Sequence, residues 1–160
     1  MDNLIIFLAE DLIIIIVLAT LAAWFKTTAK TRWQFAFTIV LSGILALALS
    51  KLAGLLYFHD RPFVVQSITP LIPHGDDNAF PSDHMLWAST LATVVYLYHR
   101  RLGIVVSLLA LFVGAGRVLA HVHWPIDIIG GLALGALGGW TGYQIAKRLL
   151  PDGQQAAIDE

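Results

Sequence analysis

Apolar residues run almost unbroken through five stretches of the chain, at about residues 4 to 25, 33 to 58, 84 to 98, 102 to 120 and 125 to 146. Roughly 20 such residues in a helix cross the hydrocarbon core of a bilayer, so the pattern predicts an all-α bundle of about five membrane-spanning helices, the third at the short limit. The first stretch carries the internal acidic pair Glu10 and Asp11. It lacks the basic start and the small-residue cleavage site of a secretory signal, and it reads as a retained helix. Between the stretches, polar residues collect at two levels. Lys26, Lys30 and Arg32 follow the first span, Arg100 and Arg101 the third, and Lys147 and Arg148 the fifth. By the positive-inside bias these mark the cytoplasmic face. The start of the chain, the 59 to 83 loop and the short link at 121 to 124 then face outward.

Composition agrees with this reading: 58% of the 160 residues are hydrophobic and 13% charged, with a mean hydropathy of +0.74. No cysteine is present, which excludes disulfides and thiolate metal sites. A net charge of −1 without a basic stripe argues against a nucleic-acid partner. The chain shows no internal repeat and reads as one domain, residues 1 to 160, with a polar tail, PDGQQAAIDE, expected to fray. The outer loop HDRPFVVQSITPLIPHGDDNAF carries Pro62, Pro70 and Pro73, which forbid a long regular helix. Loops of that length are more often functional than idle.

Three cations, Lys51, Arg61 and Arg117, are not needed to explain topology. Arg61 and Arg117 belong to polar clusters that converge on the outer face: HDRP after the second span, PSDH opening the third, and GRVLAHVHWPID joining the fourth to the fifth. Ionisable residues at span edges are functional candidates by default. Two of the clusters are helix starts, where free backbone amides and the helix dipole favour anions. Ser82 or Asp83 can cap the third span, and Pro125 suits the first turn of the fifth. His123 and Asp127 are four residues apart, so a carboxylate can hold one ring nitrogen and leave the other as a nucleophile. Arg61 and Arg117 offer forked donors matched to phosphate oxygens, and His84 adds a proton donor. The set fits phosphoryl transfer, with guanidinium groups doing electrostatic work that a metal does elsewhere, so neither metal nor cofactor is called for. His59, Asp60, His74, Asp76, Asp77 and His121 show no metal-ligand spacing and read as a solvated loop. Lys51 lies at a depth similar to Glu10 and Asp11, which predicts an ion pair between the first two spans; the competing reading sends Lys51 upward to phosphate.

Arg61-Pro62, Pro81-Ser82-Asp83-His84, and Arg117 followed by His123 and Asp127 resemble the three signature motifs of the PAP2 family, the type 2 phosphatidic acid phosphatases. The likeness covers residues 51 to 127 in order, spacing and membrane side. The LIPH and FPSDH segments look most like the bacterial undecaprenyl pyrophosphate phosphatases of the bacitracin-resistance type. The resemblance implies a metal-independent, helical lipid phosphatase of the bacterial cytoplasmic membrane, with its site facing outward and a role in recycling the lipid carrier of cell-wall synthesis. It further implies that His123 forms a phosphohistidine, Asp127 orients it, His84 is the general acid, and Arg61, Arg117 and Ser82 bind phosphate. Asp83 and Lys51 stand at phosphate-site positions. The chain departs from the family pattern at Gly54, where a lysine is usual, with Lys51 one turn earlier; at Gly116, where a serine is usual; and at Asp83, where a glycine is usual. It also counts five spans where six are common. The preferred lipid, transfer to another lipid instead of water, and oligomeric state are left open, and the rival from another class is an anion-handling transport protein.

Overall fold

A computed structural model describes residues 1–150, so the tail expected to fray lies outside the described residues. The described chain is helical and without strands: α1 (Asp2–Ile6), a π-helical turn (Phe7–Asp11), α2 (Leu12–Lys26), α3 (Ala29–Leu56), α4 (Pro62–Gln66), α5 (Asp83–Tyr98), α6 (Arg100–Leu119) and α7 (Pro125–Leu149). The first three run on as one rod. Five long helical segments thus lie where the hydrophobic pattern puts them. Three of them, Asp2–Lys26, Ala29–Leu56 and Arg100–Leu119, are long and apolar enough to cross a membrane by themselves. α5 has only 16 residues.

Local chemistry sets the helix ends. The Thr28 side chain accepts from the Thr31 amide at the start of α3. Pro62 and Pro125 occupy the first turns of α4 and α7, where a missing N–H costs nothing. At the start of α7 the Asp127 carboxylate also accepts from the Trp124 amide at 2.7 Å, satisfying a donor that the helix leaves free.

Around α5 the bundle closes. This helix packs most extensively on α7 and α6, and α3 packs along α7. Leu12 and Ile16 of α2, Phe35 of α3, Met85, Val94 and Val95 of α5, and Val106 and Val113 of α6 form the core. The outward faces of α3 and α6 carry Val40, Ile44, Val105, Leu108 and Phe112 exposed, as expected of helices turned toward lipid. The small-residue stripe of α7 works as the sequence suggests. A Cβ at Gly131 would stand 2.6 Å from the Ser82 carbonyl oxygen, and one at Gly138 would stand 2.7 Å from the Ala46 Cβ, so α7 meets both α5 and α3 backbone to backbone.

Short polar side chains inside the bundle are satisfied locally. Thr20, Thr38 and Thr90 donate to the carbonyl four residues earlier, and Ser89 donates to Leu132 of α7. The tight α5–α6 junction is a single residue, His99, whose Nε2 lies 2.9 Å from the Thr27 hydroxyl. Such bonds remove the cost of burying polar atoms and tie α2 to the α5–α6 corner.

Candidate active site

The three polar clusters meet at one end of the bundle around a cavity of about 540 Å³. Lys51, Arg61, Asp83, His84, Arg117 and His123 line it, and they come from α3, the start of α4, α5, the end of α6 and the α6–α7 link. Ser82 and Asp127 are fully buried just behind the wall. The amide of Ser82 donates to the Asp127 carbonyl at 3.1 Å, which fastens the start of α5 to the start of α7.

His123 sits in the link between α6 and α7 and is buried. Its Nε2 lies 3.5 Å from Arg61 Nη1, and its Nδ1 lies 3.7 Å from Asp127 Oδ2. The second distance is an ion-pair separation, beyond hydrogen-bond reach. The expected histidine–carboxylate partnership is therefore a close approach, and the reason is that Asp127 is already engaged. Its Oδ2 accepts from the Trp124 amide, and its Oδ1 lies 2.9 Å from Nδ1 of His59. Burial pushes the His123 ring below the ordinary histidine value, the charges of Arg117 and Arg61 push the same way, and Asp127 pulls against them. The ring is thus held neutral with a free lone pair at ordinary pH.

Arg61 immediately precedes Pro62 and is fixed on four sides. Its Nη1 donates to the Val122 carbonyl at 2.9 Å, Nη2 to the Asn78 carbonyl at 3.4 Å, and Nε to Asp77 at 3.0 Å, while Nη2 also pairs with Asp77 at 2.8 Å. Arg117 is 1% exposed, and its Nη1 donates to Glu10 of the π-helical turn at 2.7 Å. Arg117 Nε, Ser82 Oγ and His123 Nδ1 are buried donors or acceptors without a hydrogen-bond partner among the described residues. Buried polar atoms are otherwise almost always paired, so this cluster marks where a polar ligand would bring partners.

Some expectations need correction. The predicted pairing of Lys51 with Glu10 or Asp11 is not formed: Glu10 pairs with Arg117, while Lys51 is exposed at the cavity wall without an ion pair among the described residues. The buried guanidinium has the greater need of a counter-charge, since an unpaired buried ion is the costlier arrangement. Ser82 stands at the cap position of α5, but its hydroxyl makes no cap bond. Asp83 neither caps the helix nor pairs with an arginine among the described residues; it lines the cavity beside His84. A Cβ at Gly54 would lie 3.3 Å from the Phe80 carbonyl oxygen, so a lysine there would press on the outer loop, and Lys51 reaches the same cavity from one turn below.

Sequence reasoning missed three outer-loop residues. His59 holds Asp127, as described. The His74 ring lies 6.1 Å from that of His123, edge to face, and lines the cavity. Burial, followed by the charges of Arg61 and Arg117, lowers the His74 pKa. Asn78 pins the loop to the end of α3, accepting from the His59 and Phe80 amides and donating to the Gly54 and Tyr57 carbonyls. The Pro-bounded loop was the only available signal, because each partner is distant in sequence. No group of residues with metal-site geometry occurs among the described residues, and His121 sits exposed in a turn with φ of 62°.

Comparison with known proteins bears on the family and the fold. Residues 31–151 match the PAP2 superfamily. The chain is 29% identical to the undecaprenyl-diphosphatase BcrC of Bacillus subtilis (strain 168) over 151 residues, covering 94% of this chain and 78% of that one. It is 35% identical over 139 residues to the putative undecaprenyl-diphosphatase YbjG of Escherichia coli (strain K12), covering 86% and 70%. The fold is similar to the crystal structure of a transmembrane PAP2-type phosphatidylglycerolphosphate phosphatase from Bacillus subtilis, with a TM-score of 0.58 at 20% identity, over 91% of this chain and 74% of that chain.

Proposed function

The chain belongs to the PAP2 superfamily, and from that membership we propose that this multi-pass membrane lipid phosphatase hydrolyses undecaprenyl diphosphate to undecaprenyl phosphate and inorganic phosphate. The observation that carries the reading is the convergence of Arg61, His84, Arg117 and His123 on one cavity from four separate parts of the chain. The likeness to proteins named undecaprenyl-diphosphatase over most of the chain supports this choice of lipid.

In this scheme the terminal phosphoryl group lies against the two arginines, the Ser82 hydroxyl and the first-turn amides of α5. The Nε2 lone pair of His123 attacks phosphorus, and the bond to the bridging oxygen breaks with its electron pair leaving on undecaprenyl phosphate. His84 protonates that leaving oxygen. A water then attacks the phosphohistidine, His84 takes back a proton, and inorganic phosphate departs with the nitrogen restored. Asp127 steadies the charge that develops on the ring, and the guanidinium groups hold the equatorial oxygens throughout. Lys51 and Asp83 stand at the rim, where a lipid headgroup passes. In this reading the described residues form one membrane-embedded domain. The Lys and Arg clusters at the opposite end support a site that faces out of the cytoplasmic membrane.

The test is phosphate release by purified protein in detergent, at neutral pH with EDTA, comparing undecaprenyl diphosphate with phosphatidate and phosphatidylglycerophosphate. The diphosphate should be turned over with the highest kcat/KM, unaffected by chelation. Preference for a monoester lipid would shift the reading to the glycerophospholipid phosphatases, and loss of activity with EDTA would remove the metal-free scheme.

A further inference from the structure

Glu10 is a charged group at the site that the scheme above leaves unused. It belongs to the first helical rod, outside the three motifs, in a π-helical turn, a feature that recurs at functional positions inside helices. Its carboxylate reaches Arg117 across 107 residues of sequence. We propose that Glu10 is the positioning residue of Arg117, turning the guanidinium so that its Nε edge faces the phosphoryl group; the inference rests on the phosphatase reading.

Two independent observations carry it. The first concerns the guanidinium itself. Glu10 takes Nη1 at 2.7 Å, whereas Nε has no partner among the described residues and the side chain is 1% exposed. One end of the fork is therefore held by a carboxylate, and the other end carries an unpaired donor. A guanidinium is planar, so clamping one nitrogen sets the direction of the rest. The carboxylate also offsets the cost of keeping a permanent cation away from water.

The second concerns Gly116. A Cβ there would stand 2.6 Å from the Ala9 nitrogen and 2.7 Å from the Leu8 carbonyl carbon. The π-helical turn thus rests directly on α6, one residue before Arg117, and only a residue without a side chain permits it. The serine expected at this position from the motif would push the turn away and carry Glu10 with it. This chain lacks that hydroxyl and has a carboxylate held against the arginine in its place. Asp11, the other half of the acidic pair, is exposed and makes no ion pair among the described residues.

Glu10→Ala and Glu10→Gln separate positioning from mere support. Folded protein is quantified by size exclusion in detergent, and kcat, KM and the thermal shift given by orthovanadate, an analogue of phosphate in its five-coordinate form, are measured for each. Glu10→Ala should lose about a hundredfold in kcat with KM changed by less than about threefold. It should also lose the orthovanadate shift. Glu10→Gln, which keeps an amide oxygen for Nη1, should lose only about tenfold, and it carries the test if the alanine variant does not fold. Wild-type kcat per folded molecule with an unchanged orthovanadate shift would overturn the proposal. So would faster turnover in both variants, which is what a carboxylate that merely competes with substrate gives. If the wild type hydrolyses none of the lipids yet orthovanadate stabilises it in a Glu10-dependent way, the phosphatase reading fails and the positioning role stands.

Discussion

The middle of the bundle and its cavity end both bury polar side chains, but they treat them oppositely. In the middle, Thr20, Thr38, Ser89 and Thr90 each find a carbonyl and vanish into the packing. At the cavity end Ser82, Arg117 and His123 each keep a buried polar atom without a partner among the described residues. The two arginines there are held by carboxylates, Asp77 and Glu10. The difference teaches that burial alone does not mark a functional residue. What marks this site is incomplete buried polarity at several residues gathered round one cavity, whereas the unpaired Arg32 Nε stands by itself elsewhere.

The largest effect that would sharpen this contrast is at His123. His123→Ala should lower phosphate release about 10⁴-fold or more with little change in thermal stability, because the group removed is the proposed nucleophile and is only loosely tied to the fold. Thr90→Val should do the reverse, costing about 1 kcal/mol of stability while activity per folded molecule stays at the wild-type level. An equal effect of both substitutions on activity would erase the distinction between the two regions.

Next in size is His84→Ala. A phosphate leaving group is far more stable than an alkoxide, so loss of the acid should cost about 10³-fold on phosphatidate and only about tenfold on a diphosphate lipid. Equal losses would count against a site tuned to diphosphates.

A smaller effect follows from the depressed pKa of His123. In the proposed scheme its ring must be neutral to attack, so activity is present above its folded-state pKa and is lost as pH falls through it. The acid limb of kcat/KM should therefore lie below the ordinary histidine value of 6.5, falling about tenfold per pH unit beneath it. A limb above that value would show that burial and the arginines do not govern the ring.

The smallest effect belongs to Asp77, exposed in the outer loop. Arg61 bonds to it and outweighs the opposing influence of burial, so the carboxyl lies below the ordinary carboxylate value. Asp77 then stays charged at neutral pH and competes with phosphate for Arg61. Asp77→Asn should lower KM by no more than about fivefold, in keeping with a solvent-screened pair. A higher KM would mean that the loop carboxylate assists binding.

Much of this arrangement was legible in the sequence because it is local. Five apolar stretches correspond to five long helical segments, Pro125 and Asp127 announced the start of α7, and the three motifs named Arg61, Asp83, His84, Arg117 and His123, which line one cavity. What was not legible depends on contacts between distant segments. The bond of Glu10 to Arg117 joins residues 107 apart, and that of His59 to Asp127 joins residues 68 apart. Neither follows from a helical period. The exchange of Lys51 for Arg117 as the partner of Glu10 shows the limit of depth arguments. Equal depth permits contact, but azimuth around the bundle decides it, and α6 rather than α3 carries the π-helical turn.

The bond from the Ser82 amide to the Asp127 carbonyl, laid over Gly131, has a consequence for how the molecule lives in its bilayer. It gives α5 and α7 a common bearing beside the cavity. When the surrounding lipid thickens or thins and the helices tilt to follow, His84 and the mount of His123 swing together about that bearing. Their spacing is set by contacts inside the protein, between the Ser82 amide and the Asp127 carbonyl and across Gly131.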